Sequence, residues 1–275
     1  MAVEDTTPAR RFKLTLEYDG SSFAGWQRQE DGITTVQGVL EQAIFASTGE
    51  RVTLQVAGRT DAGVHALGQV AHVDIRRPSV TEKMMRDALN FHVRPHPVAV
   101  LAAQEVDVGF HARHSATARR YRYKICNRRA PPVLHGKYSW HVIKSLDVAV
   151  MQVAAALLIG KHDFSTFRAQ HCQAVSPIRT LDQLTVMRQG EWVTFDVQAR
   201  SFLYHQVRNM VGTLCLVGHS QWSLTEFTAA FHAADRTQGG PTAPASGLFF
   251  LGPEYDNDEF GLTIIKEPNA VLSLE

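Results

Sequence analysis

The chain has 275 residues, 44% hydrophobic and 20% charged, enough to bury a sizeable core in one large domain or in two of about 100–150 residues. Lys+Arg 28 against Asp+Glu 27 gives a formal net charge of +1, which excludes a uniformly basic nucleic-acid coat or an acidic solvating tail but leaves room for a local basic patch. No apolar stretch approaches the roughly 18 residues of a membrane span, Met1–Arg11 lacks the apolar run of a secretory signal, and Cys126, Cys172 and Cys215 form no CxxC pair, so a cytoplasmic protein with reduced thiols is expected.

From Arg11 to Asp19, Phe12, Leu14, Leu16 and Tyr18 alternate with Lys13, Thr15 and Glu17, the period of a strand with one buried face. A turn cluster follows at Asp19-Gly20-Ser21-Ser22, and Thr34 with Gln37 reads as a capping box. Behind it Val36, Val39, Leu40, Ala43 and Ile44 have the spacing of an amphipathic helix. Short strands are predicted over Val52–Ala57 and Gln69–Ile75. A second helix starts at Thr81, with Met84, Met85, Ala88 and Leu89 on one side; Pro95 and Pro97 stop it, and Val98–Val106 is extended again.

The second half repeats this order. Thr117–Asn127 is extended, with Tyr121, Tyr123 and Ile125 on one side and Arg120, Arg122 and Lys124 on the other. Asp147 opens a helix through Val148, Met151, Ala155 and Leu158, closed by Gly160. Leu184–Arg188 and Trp192–Ala199 flank Gln189-Gly190-Glu191 as a hairpin. Leu203, Val207, Met210, Val211 and Leu214 mark a helix ending at Gly218, and Ser223 with Glu226 makes a further capping box before the last strand, Gly247–Gly252. The order predicts an α+β protein of two tandem ferredoxin-like (RRM-like) β-α-β-β-α-β halves, with largely antiparallel sheets and an active-site cleft between them. The expected division is a disordered tail over 1–10, halves over 11–108 and 109–265, and a tail over 266–275.

Charge is unevenly spread. Between Val108 and Leu146 there is no Asp or Glu, yet Arg113, Arg119, Arg120, Arg122, Lys124, Arg128, Arg129, Lys137 and Lys144 all fall there, interleaved with Tyr121, Tyr123, Tyr138 and Trp140. Such a segment suits phosphate tracking and base stacking; the alternative is a solvated basic strand face. The string Ala57-Gly58-Arg59-Thr60-Asp61-Ala62-Gly63-Val64-His65 lies between two predicted strands, where two glycines bracket an Asp near an Arg. A carboxylate held ionised by a neighbouring cation is ready as nucleophile or base; the plainer alternative is an Asp-stabilised turn with Arg59 in solvent.

No HExxH or paired-Cys spacing supports a metal site, although His111 with His114, or His162 with His171, are candidate ligands, and no GxGxxG or GxxxxGK[ST] points to a nucleotide cofactor. Gly239-Gly240 reads as a flexible connection. Arg208 falls off the apolar stripe of its helix, beside His205 and Asn209, either solvated or reaching a cleft.

The chain resembles one family through most of its length, the TruA family of bacterial tRNA pseudouridine synthases. The resemblance runs through Leu16-Glu17-Tyr18-Asp19-Gly20, Phe23-Ala24-Gly25-Trp26-Gln27, Val36-Gln37-Gly38, the Gly58–His65 string and Ala118-Arg119-Arg120-Tyr121-Arg122-Tyr123. It continues through Asp163-Phe164-Ser165-Thr166-Phe167-Arg168, Val207-Arg208-Asn209-Met210-Val211-Gly212 and Ala245-Ser246-Gly247-Leu248. It implies a homodimeric, cofactor-free and metal-free isomerase that converts uridine to pseudouridine at positions 38, 39 and 40 of the tRNA anticodon arm, flipping the base out of its stack. Residue by residue, it implies Asp61 as the catalytic aspartate, Tyr121 stacking on the uracil, Arg208 pairing with the aspartate, Arg59 holding the extruded nucleotide and Leu248 walling the base pocket. A non-catalytic RNA-binding protein and a metal-dependent nucleotide hydrolase are the rivals from other classes.

Overall fold

The computed structural model describes residues 8–256. The first part of the chain forms β1 (Arg10–Tyr18), α1 (Val36–Thr48), β2 (Gln55–Val56), β3 (His65–Ile75), α2 (Glu82–His92) and β4 (Val98–Val106). The second forms β5 (Ala116–Asn127), β6 (Trp140–Val142), α3 (Val148–Ala156), β7 (Gly160–Asp163), β8 (Ile178–Gln189), β9 (Trp192–Ala199), α4 (Gln206–Gly218), α5 (Leu224–His232) and β10 (Leu248–Tyr255). The result is a mixed α+β protein built on one large sheet in the order β4-β1-β3-β10-β5-β9-β8-β7, with β2 also on β3 and β6 also on β5. Pairing is antiparallel except between β10 and β3 and between β5 and β6. The expected tails over 1–10 and 266–275 lie outside the described residues apart from 8–10, and there the expectation is corrected: Arg10 already belongs to β1, opposite Ile75 of β3.

Two apolar clusters fill one face of this sheet. Phe12, Leu14 and Leu16 of β1 pack with Val36, Leu40 and Ile44 of α1 and with Met85 and Leu89 of α2. Tyr123 and Ile125 of β5 pack with Phe195 of β9, Met151 of α3, Met210 and Leu214 of α4, and Phe227 of α5. Cross-strand partners share a face, and the pairs Phe12–Val73, Ala66–Phe250 and Phe250–Tyr121 carry one face from the first cluster to the second. Each large side chain buried this way contributes about 1.5–3 kcal/mol of apolar transfer free energy. The seam is shared: Phe250 of β10 belongs to the first cluster, Val64 to the second, and Tyr121 packs against both.

Several local expectations change. The cap of α1 is Thr35, whose Oγ1 accepts from Gly38 N at 3.2 Å, not Thr34. Gln37 does not reach back to the cap; its amide is drawn sideways, donating to Glu41 and accepting from Arg28 N. On α2, Met85 and Leu89 are buried but Met84 is exposed. Helix α3 ends at Ala156, and Gly160 instead opens β7, which the sequence does not announce because Gly-Lys-His-Asp has no apolar alternation; it pairs along β8. Gly240 is no flexible joint. Its N–H donates to Thr213 Oγ1 at 2.9 Å, and a Cβ there would stand 2.8 Å from Thr213 Cα, so the Gly239-Gly240 segment is packed tightly on α4.

Candidate active site

The loop between β2 and β3 is held along its backbone. Ala57 N donates to Val70 O at 2.8 Å, Gly58 O accepts from Gln69 Nε2 at 2.8 Å, and Thr60 O accepts from Trp26 N at 3.0 Å. The hydroxyls of Thr60 and Tyr18 meet at 2.7 Å, and Val64 N closes a turn onto Asp61 O at 3.1 Å. Gly63 has φ 79°, where an L side chain is strained, and a Cβ there would stand 3.1 Å from Ala245 Cβ. Gly58 lies under the rings of the site: a Cβ there would stand in ordinary contact, 4.0 Å, with the Tyr121 hydroxyl and the Phe250 ring. Asp61 stands on this loop with a side-chain exposure of 20%.

A second clamp comes from Arg119 of β5, which is buried and, among the described residues, has no carboxylate partner. Its Nε and Nη2 donate to Ala57 O at 3.2 and 2.9 Å, and its Nη1 donates to Arg200 O at 2.7 Å, with further bonds to Ala116 O and Arg113 O. Burial lowers its pKa, opposed by Tyr255 and Tyr121, but guanidinium begins so high that the charge remains. One cation therefore ties the entry of the Asp61 loop to the end of β9.

The partners of Asp61 arrive from the start of α4. His205 is the cap residue, in the left-handed region at φ 60°, with no capping hydrogen bond from its side chain. Arg208 follows in the first turn; its Nε donates to Ala243 O at 2.8 Å and its Nη1 to Asp61 Oδ2 at 3.4 Å. His205 Nε2 lies 3.4 Å from the same oxygen. Among the described residues Oδ1 has no such partner, so the polar contacts of the carboxylate gather at one oxygen. A contact of 3.4 Å is long for a charge-assisted bond, which leaves Arg208 free to tighten or to follow a ligand. A carboxylate at a helix N-terminus is also favoured by the helix dipole.

Tyr121 completes the group. It sits edge-on to Phe202 at 5.2 Å and tilted on Phe250 at 4.9 Å. Burial, and then the Asp61 carboxylate, push its phenol well above the usual range, so it keeps its proton and offers a neutral aromatic surface. Burial and Asp61 likewise raise Tyr204, whose ring lies 3.9 Å from that of His205. For His205 burial lowers the pKa, Asp61 opposes it, and Arg208 and Arg236 reinforce it, so the imidazole is neutral at neutral pH.

Of the residues singled out in the sequence, the structure thus gathers Asp61, Arg208 and Tyr121. Arg59 lies on the same loop, exposed, with no side-chain partner among the described residues. Leu248 is buried in the second cluster opposite Tyr123, one residue beyond the Ala245–Gly247 turn that Gly63 abuts. The basic run does not surround Tyr121. Arg120, Arg122 and Lys124 occupy the other face of β5, where Arg122 pairs with Asp196 at 2.6 Å, Arg120 with Glu254 at 3.2 Å, and Lys124 lies over the rings of Trp192 and Phe249. His205 is a further residue at the carboxylate, and its signal in the sequence is its place three residues before Arg208, off the same apolar stripe. Asn209, beside them, is instead fully buried, its amide donating to Phe167 O. The rings of His111 and His114 lie 4.3 Å apart, but His111 Nδ1 accepts from Arg113 N and His114 N, and no group of three or more metal-ligating side chains occurs among the described residues.

A single side-chain carboxylate whose polar contacts gather at one oxygen, two nitrogen bases or cations there, and a neutral aromatic ring alongside can bind a planar base and act on its sugar. Known proteins are similar to this chain over most of its length. A family model described as tRNA pseudouridine synthase matches residues 15–115 and 154–256. A tRNA pseudouridine synthase A of Paramagnetospirillum magneticum is 55% identical over 245 residues, covering 89% of this chain and 95% of the relative. One from Rhodospirillum centenum is 55% identical over 246 residues, covering 90% and 100%, and one from Bartonella henselae 52% identical over 247 residues, covering 89% and 99%.

Proposed function

The chain belongs to the tRNA pseudouridine synthase family and is an isomerase, and on that footing we propose that it acts at positions 38, 39 and 40 of the anticodon arm with Asp61 as its reacting acid. The observation that carries this reading is the carboxylate of Asp61, whose Oδ2 accepts from Arg208, on a loop clamped from both sides and close enough to Tyr121 for its charge to raise that phenol. Moving the ribose link from N1 to C5 of uracil needs no redox step and no external energy, so the residues present suffice in kind. The target base is stacked within an RNA arm and has to be flipped out; Tyr121 is the ring on which it stacks, and Arg59 a cation for its phosphate. Asp61 Oδ1 then either attacks the anomeric carbon or removes a ribose proton. A glycoside hydrolase needs two carboxylates and a water, whereas here a lone carboxylate and exclusion of water keep the detached uracil in place.

Leu248 fits this scheme as the apolar backing of the pocket, since it anchors the turn against which the loop packs. The two halves, 11–108 and 109–265, are read as tandem ferredoxin-like units. Support comes from strand order: β4-β1-β3-β2 in the first and β10-β5-β9-β8 in the second are the same 4-1-3-2 arrangement, with the site at their junction. The family resemblance supports a homodimer working on tRNA in the cytoplasm. Among the described residues no helix is long and apolar enough to cross a membrane.

The test is to incubate the purified full chain with unmodified tRNA transcripts and map any pseudouridine. Conversion at positions 38–40 is expected, and Asp61→Asn is expected to abolish it, a loss beyond about 10³-fold, while tRNA affinity and the thermal melt are retained. Turnover persisting in that variant removes Asp61 from the chemistry.

A further inference from the structure

The isomerisation has a proton balance that one carboxylate leaves incomplete. When C1′–N1 breaks and C1′–C5 forms, C5 carries both its hydrogen and the sugar, and the ring holds a C6=N1 double bond. To finish, the C5–H bond breaks, its electron pair becomes C5=C6, the C6=N1 pair moves onto N1, and N1 takes a proton. Nothing is consumed, but a group must accept a proton and give one back.

We propose that His205 is this group, the base that removes the C5 proton and returns it to N1. The inference rests on the reading of Asp61 as the reacting acid. Geometry places the imidazole: Nε2 is 3.4 Å from Asp61 Oδ2, and the side chain is 22% exposed, open enough to meet a ligand. It is held there by a left-handed backbone at the cap of α4, a conformation uncommon for a residue with a Cβ and one that concentrates at working sites. Elimination supports the assignment. Tyr121 and Tyr204 both hold their protons more tightly than usual, and Arg208 is a permanent cation with Nε committed to Ala243 O. The groups facing the imidazole are Asp61 from the β2–β3 loop, Arg208 from α4, Arg236 from the turn after α5 and the adjacent Tyr204. Burial and the two arginines outweigh Asp61 and keep His205 neutral to lower pH, which is the form that accepts a proton. An ordinary imidazole is also a stronger base than an ordinary carboxylate by about two pKa units or more.

A fluorine at C5 separates the steps, because a 5-fluorouracil ring can form the C1′–C5 bond but has no C5 proton to lose. Single-turnover reactions of the full chain are run with tRNA carrying uridine or 5-fluorouridine at the target position. His205→Gln is expected to slow pseudouridine formation by about 10²-fold or more, with tRNA affinity unchanged and the C5-linked fluorinated product forming at the unaltered rate. A fall in rate at acid pH is expected of the unaltered protein and should vanish in the variant. His205→Gly, which suits the left-handed backbone, is expected to fold and to regain uridine turnover when imidazole is added. Uridine turnover within about 3-fold of the unaltered protein overturns the proposal. So does parallel slowing of both substrates, which would make His205 a residue acting through Asp61. Asp61→Asn is expected to stop both substrates, and if it stops neither, the reading of Asp61 fails rather than that of His205.

Discussion

On one face of β5, Arg119, Tyr121 and Tyr123 point among the cores and toward Asp61; on the other, Arg120, Arg122 and Lys124 meet acids and aromatic rings across the sheet. These are contiguous residues of one basic, aromatic stretch, so composition alone does not separate them. The period of two does. A strand sends alternate side chains to opposite sides, and here that alternation divides a site from a buttress. It also splits the arginines by surroundings: Arg119 is buried among carbonyls, Arg122 is half-buried in a two-pronged pair with Asp196, and Arg120 is largely exposed opposite Glu254.

The contrast can be broken most severely at Tyr121. Tyr121→Ala removes the ring that rests on Phe202 and Phe250, and the expected loss in kcat is about 100-fold, from stacking worth roughly 1–3 kcal/mol per base. Affinity for tRNA, measured in parallel by filter binding, should fall far less; equal losses would reduce Tyr121 to a binding residue. Next is Arg119→Met. It strands the carbonyls of Ala57 and Arg200 but also removes a buried charge, and the expected net loss is about 2–3 kcal/mol in urea unfolding, with reduced turnover in the folded protein because the Asp61 loop loses a clamp. On the opposite face Arg122→Gln should cost about 1 kcal/mol and leave single-turnover rates within about 2-fold. Arg120→Gln, at an exposed pair, should change stability by less than about 0.5 kcal/mol. A large catalytic loss in either of the last two would mean that this face also meets the substrate.

What the sequence makes legible follows the range of the interactions. The start of α2 at Thr81 and the Ser223–Glu226 capping box are local patterns, and both occur as read; the β1 alternation is present, but Lys13 and Thr15 are buried too, so β1 does not have the single buried face that the period predicts. Thr34 and Thr35 are both adequate caps by type, and only the path of Gln37 toward Glu41 separates them. Strand β7 exists because β8 offers it an edge, a tertiary cause with no local trace. In the site, Asp61 is marked by its flanking glycines, and Arg208 by its place off an apolar stripe. His205 shares the place of Arg208 off that stripe, but its approach to the carboxylate depends on its own left-handed backbone at the helix start, which no periodicity encodes. The pairing of the basic residues with Asp196 and Glu254 was equally invisible, since those acids lie 74 and more residues further along.

Among the described residues strand β10 follows every other strand, yet it lies in the middle of the sheet, parallel to β3 through Phe249–His65 and Phe250–Ala66 and antiparallel to β5. On the ribosome, the stretches of β3 and β5 that β10 joins, beyond the short pairings with β2 and β6, therefore wait without a partner until Leu248–Tyr255 emerges. The acid loop and Arg208 of α4 are synthesised well before the strip that draws them into register. A nascent chain halted short of that strip would own every reacting side chain and still be inert, with two open edges inviting aggregation.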